Sequence, residues 1–115
     1  MNGILISEIE KLGLDGVDLL ALVTDTSYDV TFYADVDGKR IQSNTMAEEG
    51  LLDSVKLMAF YEKIATVIRA GSSFDASALN VVKVNRNSEV SMSRMERNAH
   101  VYAVKKEWRS VAINA

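Results

Sequence analysis

Tyr28-Asp29-Val30-Thr31-Phe32-Tyr33-Ala34-Asp35-Val36-Asp37-Gly38 is the stretch that decides the fold. Tyr28, Val30, Phe32, Ala34 and Val36 alternate with Asp29, Thr31, Tyr33 and Asp35, the two-residue period of a strand that buries one face. Asp37-Gly38 is a hairpin signal, because tight two-residue turns need residues that accept positive φ. Residues 39–43 then return as the partner strand. The apolar face must be covered by something elsewhere in the chain.

Upstream, residues 17–24 are too apolar and β-rich for a surface loop, with Asp18 making their start irregular. Asp25-Thr26-Ser27 reads as a turn, since these side chains hydrogen-bond nearby backbone. Residues 2–12 place Ile4, Leu5, Ile9 and Leu12 at near-helical spacing, and Gly13 ends that helix. Downstream, Asn44 or Thr45 caps a long helix over residues 46–70, with Thr45 and Glu48 at capping-box spacing. Leu51, Val55, Met58, Glu62 and Ala65 form one stripe of it, with Leu52, Ala59 and Val67 beside them. Leu57, Phe60, Tyr61, Ile64 and Ile68 widen the apolar surface, which predicts cover on more than one side. Gly71 ends the helix. Residues 78–84 and 89–94 read as a second hairpin around Asn85-Arg86-Asn87-Ser88. Residues 96–111 read as a closing helix that buries Val101, Val104, Trp108 and Val111, with Trp108 as its anchor on the sheet. Met58 and Met92 are expected in the core. The pattern predicts an α+β fold: a mainly antiparallel sheet of four to five strands, in two hairpins, packed against a long central helix and terminal helices. Residues 1–115 are expected to form one domain.

Composition narrows the function. Of 115 residues, 48% are hydrophobic and 25% charged, an ordinary globular balance. Cysteine is absent, which removes disulfides, thiolate zinc sites and cysteine nucleophiles. A single histidine, His100, leaves no His-rich metal site. No apolar run reaches membrane-span length and no leader signal opens the sequence, so the expectation is a cytoplasmic protein without membrane contact. Residues 1–60 hold eleven acids against four bases, and residues 61–115 hold five acids against nine bases. An acidic half attracts a basic partner and speeds its encounter, although turn aspartates also serve solubility.

Motifs of catalysis are missing: no phosphate-binding glycine loop, no His-Glu-x-x-His and no nucleophile elbow. Asp35 and Asp37, with Asp25 and Asp29, pose the question of paired carboxylates, but a hairpin rim explains them as well. His100, near Glu96, Arg94 and Arg97, reads as a surface or cap histidine rather than a general base. Arg94, Arg97, Lys105, Lys106 and Arg109 do not fall on one helical face, which argues against a phosphate-binding stripe. The expectation is therefore a non-enzyme without catalytic residue, cofactor or metal, and without nucleic acid as a partner.

The aromatic strand 28–38, the long helix, the second hairpin and a closing helix with Lys105-Lys106-Glu107-Trp108-Arg109 follow one another in an order that resembles a known family. Over residues 1–112 the chain resembles the small bacterial immunity proteins of the YezG-like kind and, more broadly, the immunity partners of contact-dependent growth inhibition toxins. The resemblance makes Tyr28, Phe32 and Trp108 framework positions. It implies a protein without chemistry of its own, which neutralises a cognate toxin by covering the active site or substrate groove of its C-terminal nuclease domain.

The family supplies no binding list, so the interface expectation is physical. Asp25, Asp29, Asp35, Asp37, Glu48 and Glu49 are expected to surround one end of the first hairpin and the start of the long helix. Tyr33 is expected in that rim as the hot spot. The partner would be a basic toxin domain. Competing readings are a small adaptor or homodimeric interaction module, and a small ribonuclease or nucleic-acid binder. Monomer and homodimer both remain open.

Overall fold

β1 (Asp15–Val23) runs through the middle of the sheet in a computed structural model that describes residues 1–114. β2 (Tyr28–Val36), β3 (Lys39–Gln42), β4 (Ala78–Val84) and β5 (Val90–Glu96) complete an antiparallel sheet in the order β3-β2-β1-β4-β5. Four helices cover it: α1 (Asn2–Glu10), α2 (Ser43–Glu48), α3 (Ser54–Ala70) and α4 (Tyr102–Asn114). The α+β architecture of two hairpins with helices is the expected one.

The centre of the sheet is buried on both faces. Leu19, Ala21 and Val23 of β1 point to one side with Phe32 and Val82, where Leu5, Met46, Phe60, Tyr61, Ile64 and Ile68 of α1, α2 and α3 close over them. Leu20 and Leu22 point to the other side with Tyr33 and Val81, beneath Trp108 and Ala112 of α4. A strand covered on both faces needs apolar side chains at every position, which accounts for the unbroken run Leu19-Leu20-Ala21-Leu22-Val23. Phe32 meets Phe60 edge-on, with ring centroids 5.7 Å apart.

β2 and its turn fall where the sequence places them. Asp37 and Gly38 take φ of 51° and 79°, the positive pair of a tight hairpin turn. The irregular start of β1 is a one-residue bulge: Asp15 faces Asp35, yet Asp18 faces Tyr33. Gly16 in the bulge has φ of 61°, and a Cβ there would strike the Asp35 carboxylate.

Three expectations change. The long helix is two helices, because α2 ends in a Schellman turn: Gly50 has φ of 76°, Gly50 N–H donates to Ala47 and Leu51 N–H to Met46. Its start is capped by the Gln42 side chain, which accepts from the amides of Asn44 and Thr45, and Asp53 caps α3 through Val55 N–H. The buried face of α3 is Leu57, Phe60, Tyr61, Ile64, Ala65, Val67 and Ile68, so Ala65 and Val67 of the expected stripe are buried, whereas Val55 and Met58, and Leu51 in the turn before the helix, are exposed. Met58 is therefore not core. Finally, Glu96 ends β5 instead of opening a helix, and α4 turns Ala112 inward where Val111 was expected.

Candidate functional site

The seven expected interface residues do not share one rim. β2 separates Asp29 from Asp35 by roughly 20 Å at a strand rise of about 3.3 Å per residue. Asp25 lies beyond Asp29 in the β1–β2 turn, and Asp37 beyond Asp35 in the β2–β3 turn. Glu48 and Glu49 close α2. Their loop belongs to the Asp37 end: Leu51 and Leu52 share a groove with Leu12, and the chain from Leu12 leads directly into Asp15, the partner of Asp35.

Charge pairing divides the carboxylates further. Asp25 is ion-paired with Arg97, which also donates to the Thr26 hydroxyl at 2.9 Å. Asp29 accepts from Lys105 of α4 at 2.6 Å. Asp35 accepts from Arg40 at 3.0 Å. Arg40 in turn donates to the buried Asp18, to the Gly16 carbonyl and, at 3.0 Å, to the Ala112 carbonyl of α4. Asp18 also accepts Arg86 N–H at 3.0 Å and the Arg86 guanidinium at 3.3 Å. Sequence reasoning missed this Asp18–Arg40–Arg86 cluster; the irregularity at Asp18 was its only local sign. Asp18 is in phase with Leu20 and Leu22 along β1 and so lies on the α4 side, where a carboxylate needs such partners.

Asp37, Glu48 and Glu49 form no ion pair among the described residues, and neither do their neighbours in the fold Glu10, Asp15 and Asp53. One end of the molecule thus gathers six carboxylates without an ion pair, among which Lys39 and Lys56 are likewise unpaired among the described residues. At the other end Arg97 and Lys105 cancel Asp25 and Asp29, and Arg69 donates to the carbonyls of Thr24 and Ser27 at 3.0 Å.

Tyr33 is not a rim residue. It is 8% exposed and packs on Trp108 with ring centroids 5.6 Å apart, because α4 covers the face it occupies. Trp108 anchors α4 as expected, and Phe32 is a framework residue at the centre of the larger core. Tyr28 is a surface residue at the end of β2, with the Arg69 guanidinium 5.8 Å above its ring.

Neither of the two shifted titrations lies in this acidic end. Burial pushes the Tyr61 phenol above its ordinary value, against an opposing hydrogen bond with Ser43; the phenol stays protonated and donates to Asn44 at 3.0 Å. The Ser77 hydroxyl, then the Ser77 amide, hold Asp75 below the usual carboxylate range, in the turn that leads into β4. His100 lies exposed between β5 and α4, and Arg97 turns to Asp25 rather than toward it.

A cleft of about 240 Å³ lies between α4 and β2, lined by Asp29, Thr31, Tyr33, Lys105, Trp108 and Arg109. The Asp29–Lys105 pair spans it, while Arg109 on its wall forms no ion pair among the described residues. Comparison with protein-family models, curated proteins and solved structures finds no match. The site has to be read from its own chemistry. The acidic end offers carboxylates in water, with apolar Leu51 at 49% exposure beside Glu49 and Val55 at 75% beyond Asp53. Apolar groups rimmed by charge are the anatomy of a protein-binding surface.

Proposed function

We propose that the chain is an immunity-type inhibitor, which binds a basic toxin domain, a nuclease, and covers its active site or substrate groove. The observation that carries this reading is the gathering of six carboxylates that form no ion pair among the described residues (Asp37, Glu48 and Glu49, with Glu10, Asp15 and Asp53) at one end of the molecule, the other unpaired acids, Glu62, Asp75, Glu89, Glu96 and Glu107, being scattered over α3, β5, α4 and the loops. A nuclease must present cations to hold a phosphate backbone. An inhibitor that offers carboxylates to those cations competes for the same surface and is steered to it over a Debye length, roughly 8 Å at physiological salt. The paired carboxylates Asp25, Asp29 and Asp35 play structural parts in this reading and are not contact residues. The resemblance to immunity proteins points the same way, as does the imbalance of eleven acids to four bases in residues 1–60.

The reading predicts a basic nuclease domain encoded beside this chain and is tested by cleavage assays with that domain. Addition at one molar equivalent should abolish nucleic-acid cleavage, and Glu48→Lys with Glu49→Lys should restore it. Undiminished cleavage at a tenfold excess of wild-type chain would contradict the proposal.

A further inference from the structure

α4 is narrower than the face of the sheet it covers, and on the β2–β3 side it leaves the cleft of about 240 Å³. Asp29, Thr31 and Tyr33 line it from alternate positions of β2, and Gln42, the register partner of Tyr33, lines it from β3. Lys105 and Arg109, one helical turn apart, border it from α4 together with Trp108. The acceptors around this cleft are mostly engaged. Gln42 Oε1 accepts from the amides of Asn44 and Thr45, Asn44 Oδ1 accepts from Tyr61, and Thr31 Oγ1 accepts from Gln42 at 2.8 Å. Asp29 gives one carboxylate oxygen to Lys105. The donors are not engaged. Tyr33 is 8% exposed, yet its hydroxyl makes no hydrogen bond among the described residues. No fully buried polar side-chain atom lacks a partner, so that hydroxyl reaches open space, and the space Tyr33 borders is this cleft. The Arg109 guanidinium likewise has no hydrogen-bond or ion-pair partner among the described residues. One acid, Asp29, stands among the lining residues against two bases, Lys105 and Arg109, which leaves one positive charge over.

We propose that this cleft binds a small organic carboxylate, whose oxygens accept from the Arg109 guanidinium and the Tyr33 hydroxyl while its body lies beside Trp108. The site goes beyond the toxin-binding reading and does not depend on it. Its own chemistry selects the ligand. A donor held in so dry a position gains from an acceptor that reaches it, and two such donors converge here. The guanidinium presents a planar fork that matches a carboxylate. One excess positive charge suits a monoanion; a phosphate monoester carries about −1.5 to −2 at neutral pH, and Asp29 opposes the second charge. The volume lies below the roughly 300–1,000 Å³ of drug-sized sites, so the body is no larger than a small ring.

Trp108 is the single tryptophan of the chain and borders the cleft, so its fluorescence reports occupancy. Benzoate is the probe, titrated at constant ionic strength beside benzyl alcohol, its neutral analogue, and inorganic phosphate. Benzoate should change the emission saturably at 1:1, with a midpoint below about 10 mM, the range of a fragment-sized ligand. It should also shift the amide NMR signals of residues 29–33 and 105–109 ahead of all others. Arg109→Gln should weaken binding at least tenfold. Tyr33→Phe, which keeps the ring against Trp108, should weaken it several-fold. Lys63→Gln, on α3 across the sheet, should change it less than twofold. Far-UV circular dichroism of the three variants should stay native. The proposal is overturned if neither signal saturates with benzoate, if benzyl alcohol binds as well, or if phosphate binds more tightly. It is also overturned if Arg109→Gln leaves binding unchanged, or if Lys63→Gln weakens it as much as Arg109→Gln, since the effect would then be one of net charge and not of this cleft.

Discussion

The two faces of the sheet are closed in different ways. Three helices lie on one face and bury Phe32, Ile64, Ile68 and their neighbours with almost no charge among them. A single helix, α4, lies on the other, with apolar contact at Trp108 and Ala112 and charge at its flanks, where Lys105 reaches Asp29 and the Ala112 carbonyl receives Arg40. One helix is too narrow to cover a five-stranded sheet. The uncovered margin is finished with ion pairs, and many of the aspartates of the acidic half are taken up there. Of the carboxylates that form no ion pair among the described residues, Glu48, Glu49 and Asp53 sit at the α2–α3 corner and Asp37 at the β2–β3 turn.

Substitutions can break or sharpen this contrast. Phe32→Ala should cost the most, about 3–5 kcal/mol in urea unfolding, since it opens a cavity under three helices. A loss under about 1 kcal/mol would mean that face is not densely packed. Trp108→Ala should cost about 3 kcal/mol. Hydrogen exchange should then show α4 losing protection while β1 and β2 keep theirs; equal loss across the sheet would make the two faces one cooperative unit. Arg40→Ala should cost about 2–3 kcal/mol, below the range for a fully buried pair because water reaches the margin, and it leaves Asp18 with Arg86 alone. Lys105→Ala removes a more exposed pair and should change stability by at most about 0.5–1 kcal/mol. If Lys105→Ala cost as much as Arg40→Ala, the margin would depend on α4 and not on the buried aspartate.

The same contrast explains what could be read from the sequence. β2 and its turn were legible to the residue because alternation and Asp37-Gly38 are local signals. Tyr33 was not. Alternation assigns a side chain to a face, but whether that face is covered depends on Trp108, which lies far along the chain. The stop at Gly50 and the cap at Asp53 were not read from the sequence. They were outweighed by the apolar run Leu51, Leu52, Val55, Leu57, Met58, whose exposed members look identical to buried ones until the phase of α3 is fixed by Phe60, Ile64 and Ile68. The acidic site was legible only as single residues. Arg97 pairs with Asp25 across 72 positions and Lys105 with Asp29 across 76, so no local pattern separates a neutralised carboxylate from a free one.

The central claim, that the unpaired acidic end holds a basic protein, is tested most directly by affinity capture from the native cell with tagged chain at low and moderate salt. The account predicts one basic protein held at 1:1, released as ionic strength rises and lost from the Glu48→Lys, Glu49→Lys variant. Recovery of no stoichiometric partner, or of one that is acidic and indifferent to salt and to those substitutions, would contradict it.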